Sequence, residues 1–275
     1  MTHTLRQGTM PILISMPHIG TEIPADLKQN YVPRALAVED TDWHLFRLYN
    51  FAKTLGASVI TPRFSRYVID LNRPPNDAPM YPGASNTELC PTRFFTGQAL
   101  YLDGAAPDSL ERERRLNQYW QPYHCALQSE LNRLKTVHGF ALLWDAHSIR
   151  SELPWLFEGR LSDLNIGTVN GDSAHASITQ AVADAAHSAT SNLTDSRVTV
   201  AVNGRFKGGY ITRHYGRPSE HIHAVQLEQT QCTYMQEEAP FLYNEPKAKI
   251  IQPVIFSMAC AAFDAASKLY AKRRS

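Results

Sequence analysis

Phe140-Ala141-Leu142-Leu143-Trp144-Asp145-Ala146-His147-Ser148 is the stretch that decides the fold. Its five leading apolar residues read as a buried strand, and the chain leaves that strand straight into Asp145, Ala146 and His147. The flanking segments fit the same scheme on both sides. Before it, Pro107 to Leu134 reads as a helix, rich in Arg and Glu and opening with Asp108 as a candidate cap. After it, Leu164–Val169 reads as a strand, Ser173–Ala189 as an Ala-rich helix and Val198–Val202 as a strand. Asn203–Gly209 follows as a loop, Ala224–Gln229 as a strand, and Pro253–Lys272 as a closing helix ended by the basic tail Lys272-Arg273-Arg274. Towards the N-terminus, Pro11–Met16 is a buried strand with Pro17-His18-Ile19-Gly20 as its exit loop. Asp40–Leu55 follows helical spacing up to Gly56, and Ala57–Pro62 and Tyr67–Leu71 read as strands. Asn72–Gly104 is long for a structureless loop, so a lid or binding loop is expected there. Strands alternating with helices predict an α/β fold with a mostly parallel sheet.

At 275 residues the chain fits a single α/β domain, 1–275, with a sizeable core. Hydrophobic residues make up 43% and charged residues 19%, the balance of an ordinary soluble globular protein. Lys plus Arg total 27 against 26 Asp plus Glu, so the net charge is +1 and no basic field exists to hold nucleic acid. Cys90, Cys125, Cys232 and Cys260 are widely spaced, which argues against a disulfide framework or a cysteine metal site and fits free thiols in a reducing cytoplasm. Residues 1–10 lack the apolar core of a signal peptide, and no apolar run approaches the roughly 20 residues that span a bilayer. A cytoplasmic protein without a membrane partner is therefore expected.

Open α/β sheets place ligands at the carboxyl ends of their strands. His18, the pair Asp145 and His147, and Glu228 fall at such ends, and Glu39-Asp40-Thr41-Asp42 sits at the expected helix start. Two histidines and a carboxylate with one open position make a catalytic zinc set. His18 and His147 are the natural imidazoles, Asp40 or Asp42 the carboxylate, and Asp145 a group that orients a ligand. Each has a plainer reading: a strand-end histidine that is merely hydrogen-bonded, or aspartates that cap a helix. His221 and His223 alternate on one strand and form a second possible metal pair, which spacing alone does not separate from the first. His44 reads as structural. Glu228, in an apolar strand, is either a general base or one half of an ion pair. Arg63, Arg66 and Arg73 bracket Tyr67–Leu71, and Asn72-Arg73 suits an acidic substrate, although isolated arginines are commonly surface groups. The glycines of Asn203–Gly209 can bring backbone N–H groups close to an anion but match no phosphate-loop pattern.

Taken in order, several segments resemble the N-formylglutamate amidohydrolase (N-formylglutamate deformylase) family. They are Ser15-Met16-Pro17-His18-Ile19-Gly20, Asp40-Thr41-Asp42-Trp43-His44 and Phe64 through Arg73. Trp144-Asp145-Ala146-His147-Ser148, Asn203 through Gly209 and Gln226-Leu227-Glu228 complete the set. The resemblance implies kinship with the zinc carboxypeptidases and a three-layer α/β/α, phosphorylase/hydrolase-like fold. It implies a Zn2+ site (another divalent metal being possible) held by His18 and His147 with Asp40 or Asp42, because Glu22 lies one residue too far from His18 for a His-x-x-Glu pair. Glu228 is then the base that moves a proton from water to the leaving amine, and Arg66 the oxyanion donor. Asn72 and Arg73, with Lys207 or Arg213, hold the substrate carboxylates. The implied reaction is hydrolysis of a linear amide, N-formyl-L-glutamate to formate and L-glutamate, at the end of histidine breakdown. A zinc deacylase or carboxypeptidase acting on another N-acyl amino acid or peptide is the nearest alternative. A metal-free binding module for dicarboxylic amino acids, leaving both histidines idle, is the alternative of another class.

Overall fold

The computed structural model describes residues 1–80, 86–191, 193 and 198–271; the tail Lys272-Arg273-Arg274 and residues 81–85 of the long loop lie outside the described residues. Among the described residues, seven strands form one sheet: β1 (His3–Arg6), β2 (Ile12–Ser15), β3 (Ser58–Pro62), β4 (Ala141–Ile149), β5 (Leu164–Gly167), β6 (Val200–Val202) and β7 (Ile222–Thr230). Their order is β1-β3-β2-β4-β7-β5-β6. The central strands β3, β2, β4 and β7 run parallel, β5 and β6 are parallel to each other, and β1/β3 and β5/β7 are antiparallel. The helices are α1 (Ala25–Lys28), α2 (Leu45–Leu48), α3 (Ser109–Arg115), α4 (Gln121–His138), α5 (Ala176–Ser191), α6 (Tyr210–Tyr215) and α7 (Glu245–Ala271).

The central strands are apolar at consecutive positions because both faces of the sheet are covered. Ile14, Leu142, Trp144, Val225 and Leu227 pack with Leu45, Ile178, Val182, Ile255 and Met258 on one face. Leu13, Leu143 and Ala224 pack with Leu127, Leu131, Leu134, Ile211 and Tyr215 on the other. This is the expected three-layer α/β/α arrangement with a mixed, mostly parallel sheet. A satellite cluster of Phe95, Ile149, Leu153, Phe157 and Leu161 sits apart from both cores.

Several elements differ from expectation. β4 continues past Trp144 as far as Ile149, so Asp145 and His147 lie within the strand and not beyond it. Glu228 likewise sits inside β7. The expected helix over 40–55 shrinks to α2 and a 3-10 turn at Asn50–Ala52. Residues 40–44 are diverted because the Thr41 hydroxyl donates to Val38 O (2.7 Å), Asp42 reaches out to the sheet, and His44 takes a left-handed φ of 63°. Tyr67–Leu71 forms turns instead of a strand, with Ser65 and Asp70 capturing the backbone N–H groups of Tyr67 and Asn72. Asp108 does cap its helix, accepting from Glu111 N at 2.8 Å. α7 begins at Glu245, eight residues before Pro253, where the Asn244 side chain accepts from Lys247 N. Among the described residues one helix, α7, is long and apolar enough to cross a bilayer by length and a mean hydropathy of 1.5 over 18 residues, a test that a core helix also meets; 44% of that window is buried, on the α5 side of the sheet.

Candidate metal centre

The site grows out of one face of the sheet. Along β4, Ala141 and Leu143 point into the second core, and the same parity carries Asp145 and His147. Parallel register places Ser15 beside Asp145, Asp145 beside Gln226, and His147 beside Glu228. The apolar face thus turns polar towards its carboxyl end, where His147, Gln226 and Glu228 line a cleft. His18 arrives on the loop after β2. That loop crosses the segment after β3 so closely that a Cβ on Gly20 would lie 2.1 Å from Phe64 O. Asp42 N donates to His18 O (3.1 Å), and Ser148 N donates to Asp42 Oδ2 (3.1 Å), so the Asp42 loop is tied to both segments that carry the imidazoles.

Each imidazole is oriented by its own buried carboxylate. His18 Nε2–H donates to Asp70 Oδ1 at 2.8 Å, and His147 Nε2–H donates to Asp145 Oδ2 at 3.1 Å. Asn72 Nδ2 lies 3.0 Å from the same His147 nitrogen. The Asn72 amide is fixed by Ile211 N donating to its Oδ1 (2.8 Å), so with the proton directed at the stronger carboxylate partner this is a packing contact. Both Nδ1 atoms then turn inwards. They stand 3.2 Å apart, and Asp42 Oδ2 is 3.5 Å from the one on His147 and 3.8 Å from the one on His18. His18, Asp42 and His147 are all buried, and among the described residues Asp42 Oδ1 has no hydrogen-bond partner.

Three electron-pair donors converging in a buried space repel one another unless a proton or a metal cation lies between them. Tetrahedral zinc bonds of about 2.0–2.2 Å put neighbouring ligand atoms about 3.3–3.6 Å apart, which the observed spacings match closely. Carboxylates behind both imidazoles are the usual support of such a site. The donor set therefore fits a small divalent ion.

The same convergence sets the proton affinities. Burial opposes charge on His147, but Asp145, Asp42 and Glu228 outweigh it and hold the imidazole well above its ordinary range. Burial and then Arg66 lower His18, against Asp70 and Asp42. Burial alone would raise Asp70, yet Arg66, whose guanidinium lies 2.5 Å away, and His18 hold it well below the usual carboxylate range. Burial pushes the Glu228 carboxyl up to about 8, with His147 acting in the opposite direction.

A cleft of about 620 Å³, mouth included, opens over these groups. His18, His147 and Glu228 line it together with Arg66, Asn72, Arg73 and Arg205, and Phe95, Leu156 and Phe206 form apolar wall. The family model for N-formylglutamate amidohydrolase matches residues 10–235. The chain belongs to the N-formylglutamate amidohydrolase family. An N-formylglutamate deformylase of Pseudomonas putida is 49% identical over 252 residues, covering 92% of each chain. A second, from Pseudomonas aeruginosa, is 50% identical over 255 residues with the same coverage. The fold is also that of an N-formylglutamate amidohydrolase from Ralstonia eutropha JMP134, with a TM-score of 0.77 and 24% identity over 100% of this chain and 99% of that one. A gene product from Agrobacterium tumefaciens matches with a TM-score of 0.68 at 18% identity over 94% of each chain.

Within this member of the N-formylglutamate amidohydrolase family, the site residues expected from sequence divide into two groups. His18, Asp42 and His147 meet, and Arg66, Asn72, Arg73 and Glu228 line the cleft above them. Asp40 does not join them: its Oδ2 accepts from Tyr67 OH (2.8 Å) and Phe95 N (2.9 Å), because two positions along a turn send the carboxylates in different directions. Glu22 pairs with Arg63 at the surface. Lys207 and Arg213 are not among the lining residues; Lys207 O accepts from Val169 N, and Arg213 Nε donates to Gly208 O. His44, as expected, is structural, bonding Phe241 O, while His223 meets Tyr270 OH and His221 meets Gly139 O, so neither belongs to a metal group among the described residues. Reading the sequence assigned no role to Asp70, Arg205 or Gln226, whose Oε1 accepts from Gly209 N (2.7 Å). Asp70 was findable by the argument used for Glu228, a carboxylate amid apolar neighbours.

Proposed function

We propose that this chain hydrolyses N-formyl-L-glutamate to formate and L-glutamate, using a divalent metal, zinc by preference, held by His18, Asp42 and His147. The observation that carries the reading is the convergence of both Nδ1 atoms and Asp42 Oδ2 at 3.2–3.8 Å, backed by Asp70 and Asp145. Such an ion, when bound, polarises a carbonyl and makes water a competent nucleophile near neutral pH. Glu228, beside His147 in register, accepts the proton of the attacking water and returns it to the amine nitrogen as the C–N bond breaks. A carboxyl whose proton affinity is raised by burial suits a group that must both take and give a proton. Arg66, anchored by Asp70, faces the cleft and stabilises the oxygen on which negative charge develops. Among the described residues Arg73 is held by Thr87 O, Thr87 Oγ1 and Asn72 O, which engage three of the five N–H donors of its guanidinium and leave two for a substrate carboxylate.

In this reading the chain acts at the last step of histidine degradation, and its four free cysteines suit a reducing cytoplasm. Formate release from N-formylglutamate, measured with and without chelator, is the test. Release that chelator abolishes and added zinc restores is expected; release indifferent to chelator would reject the metal. Turnover of N-acetylaspartate in preference to N-formylglutamate would move the substrate to another N-acyl amino acid.

A further inference from the structure

We infer that Arg205 is the group that reads the distal carboxylate of the substrate and so makes the site selective for acidic over neutral N-formyl amino acids. The inference rests on the activity proposed above and adds a specificity residue to it.

An N-formylated glutamate carries two carboxylates, one two bonds from the amide nitrogen and one at the end of the side chain. Three guanidinium groups line the cleft: Arg66, Arg73 and Arg205. Arg66 is already neutralised by Asp70 at 2.5 Å. Arg73 follows directly on Asn72, whose amide touches His147, so it stands next to the floor of the cleft where the formyl group must sit. Its place suits the nearer carboxylate. Arg205 belongs to a different part of the structure. Its NH2 donates to Leu156 O (2.8 Å), and Leu156 and Phe206 pack on the satellite cluster of Phe95 and Ile149, apart from the sheet cores. That position suits the carboxylate farther from the reacting bond.

The loop that presents Arg205 is pinned at both ends. Asn203 Oδ1 accepts from Thr168 N (2.8 Å) and Asn170 N (3.2 Å), and its Nδ2 donates to Thr168 Oγ1 (3.0 Å). At the other end Val169 N donates to Lys207 O (2.6 Å) and Gly209 N donates to Gln226 Oε1 (2.7 Å). A guanidinium on a fixed loop, further tied to a carbonyl, loses little freedom on binding a carboxylate, which is what a specificity contact requires.

The test compares kcat/KM for N-formyl-L-glutamate and N-formyl-L-glutamine in the metal-loaded enzyme. The wild-type enzyme should favour the acid, and in Arg205→Gln that preference should fall about 100-fold, the scale of a two-pronged charge-assisted contact, with most of the change in KM. Arg205→Lys keeps the charge without the fork and should lose about tenfold of the preference. A wild-type enzyme that turns over both substrates equally, or variants that keep the wild-type ratio, would overturn the role of Arg205 while leaving the proposed activity standing. A wild-type enzyme that hydrolyses neither substrate would instead remove the activity on which the inference rests.

Discussion

Two carboxylates, Asp70 and Asp145, each take one ring nitrogen of a buried imidazole and thereby decide which nitrogen remains for a ligand. Among the described residues Asp42 Oδ1 has no such competing duty, whereas the Asp40 carboxylate is engaged by Tyr67 and Phe95. Asp42→Asn should therefore lower the metal content of the purified protein at least about tenfold, and Asp40→Asn should leave it near wild type, as read by elemental analysis. The reverse pattern would exchange their roles. Glu228 gives a prediction in pH. Burial pushes its carboxyl up to about 8 in the folded, metal-free protein, from about 4.3 in an unfolded chain. Between those values the folded state holds a proton that the unfolded chain has released, so this group costs stability progressively as pH rises from about 4.5 to about 8. Glutamine does not titrate. Metal-free Glu228→Gln should exceed the metal-free wild type in stability by a margin that grows from about pH 5 to about pH 8, to on the order of 1–3 kcal/mol. The metal-loaded variant should lose about 10²–10⁴ in kcat. Denaturant titrations across pH check the first part, and a margin independent of pH would contradict it.

At the scale of elements, the site depends on where strands end and how closely loops approach them. β4 and β7 extend beyond the apolar core, so a face that is apolar at Leu143 carries His147 and Glu228, the proposed ligand and base, where the cleft opens. The turn before α6 closes the same floor from above. A Cβ on Gly209 would lie 2.3 Å from Asn72 Nδ2, and the Asn72 side chain holds Ile211 N while touching His147. The φ of Gly209 is −83°, so the demand for glycine here is one of space and not of backbone conformation. Gly209→Ala should cost about 1–3 kcal/mol of stability and weaken metal binding, because the displaced Asn72 pushes on His147, the proposed ligand. Thermal unfolding together with a metal-competition titration tests this; an unchanged metal affinity would show that Asn72 can move without disturbing His147.

For the whole molecule, the candidate metal centre joins segments as far apart as His18, Asp42 and His147, so an ion bound there should stabilise the native state and not the unfolded chain. At about 100 times its Kd a ligand adds about 2.7 kcal/mol, which for a domain of this size is a Tm change of roughly 5–10 °C. Chelator should lower Tm by that amount and zinc should restore it, as followed by calorimetry; a Tm unmoved by chelator would count against a bound ion. The α/β alternation, the burial of the central strands and the candidacy of His18, His147, Glu228 and the cluster of arginines were legible in the chain alone, because hydrophobic runs and ordered motifs are local. Asp40 and Asp42 were not separable that way, since both sit in one short acidic turn and their directions depend on Thr41, Tyr67 and the backbone of Ser148. Nor were Arg205, Lys207 and Arg213, which share one short basic stretch. Which carboxylate meets the imidazoles, and which cation faces the cleft, is settled only in the folded molecule, because each choice is made by hydrogen bonds to residues far away in the chain.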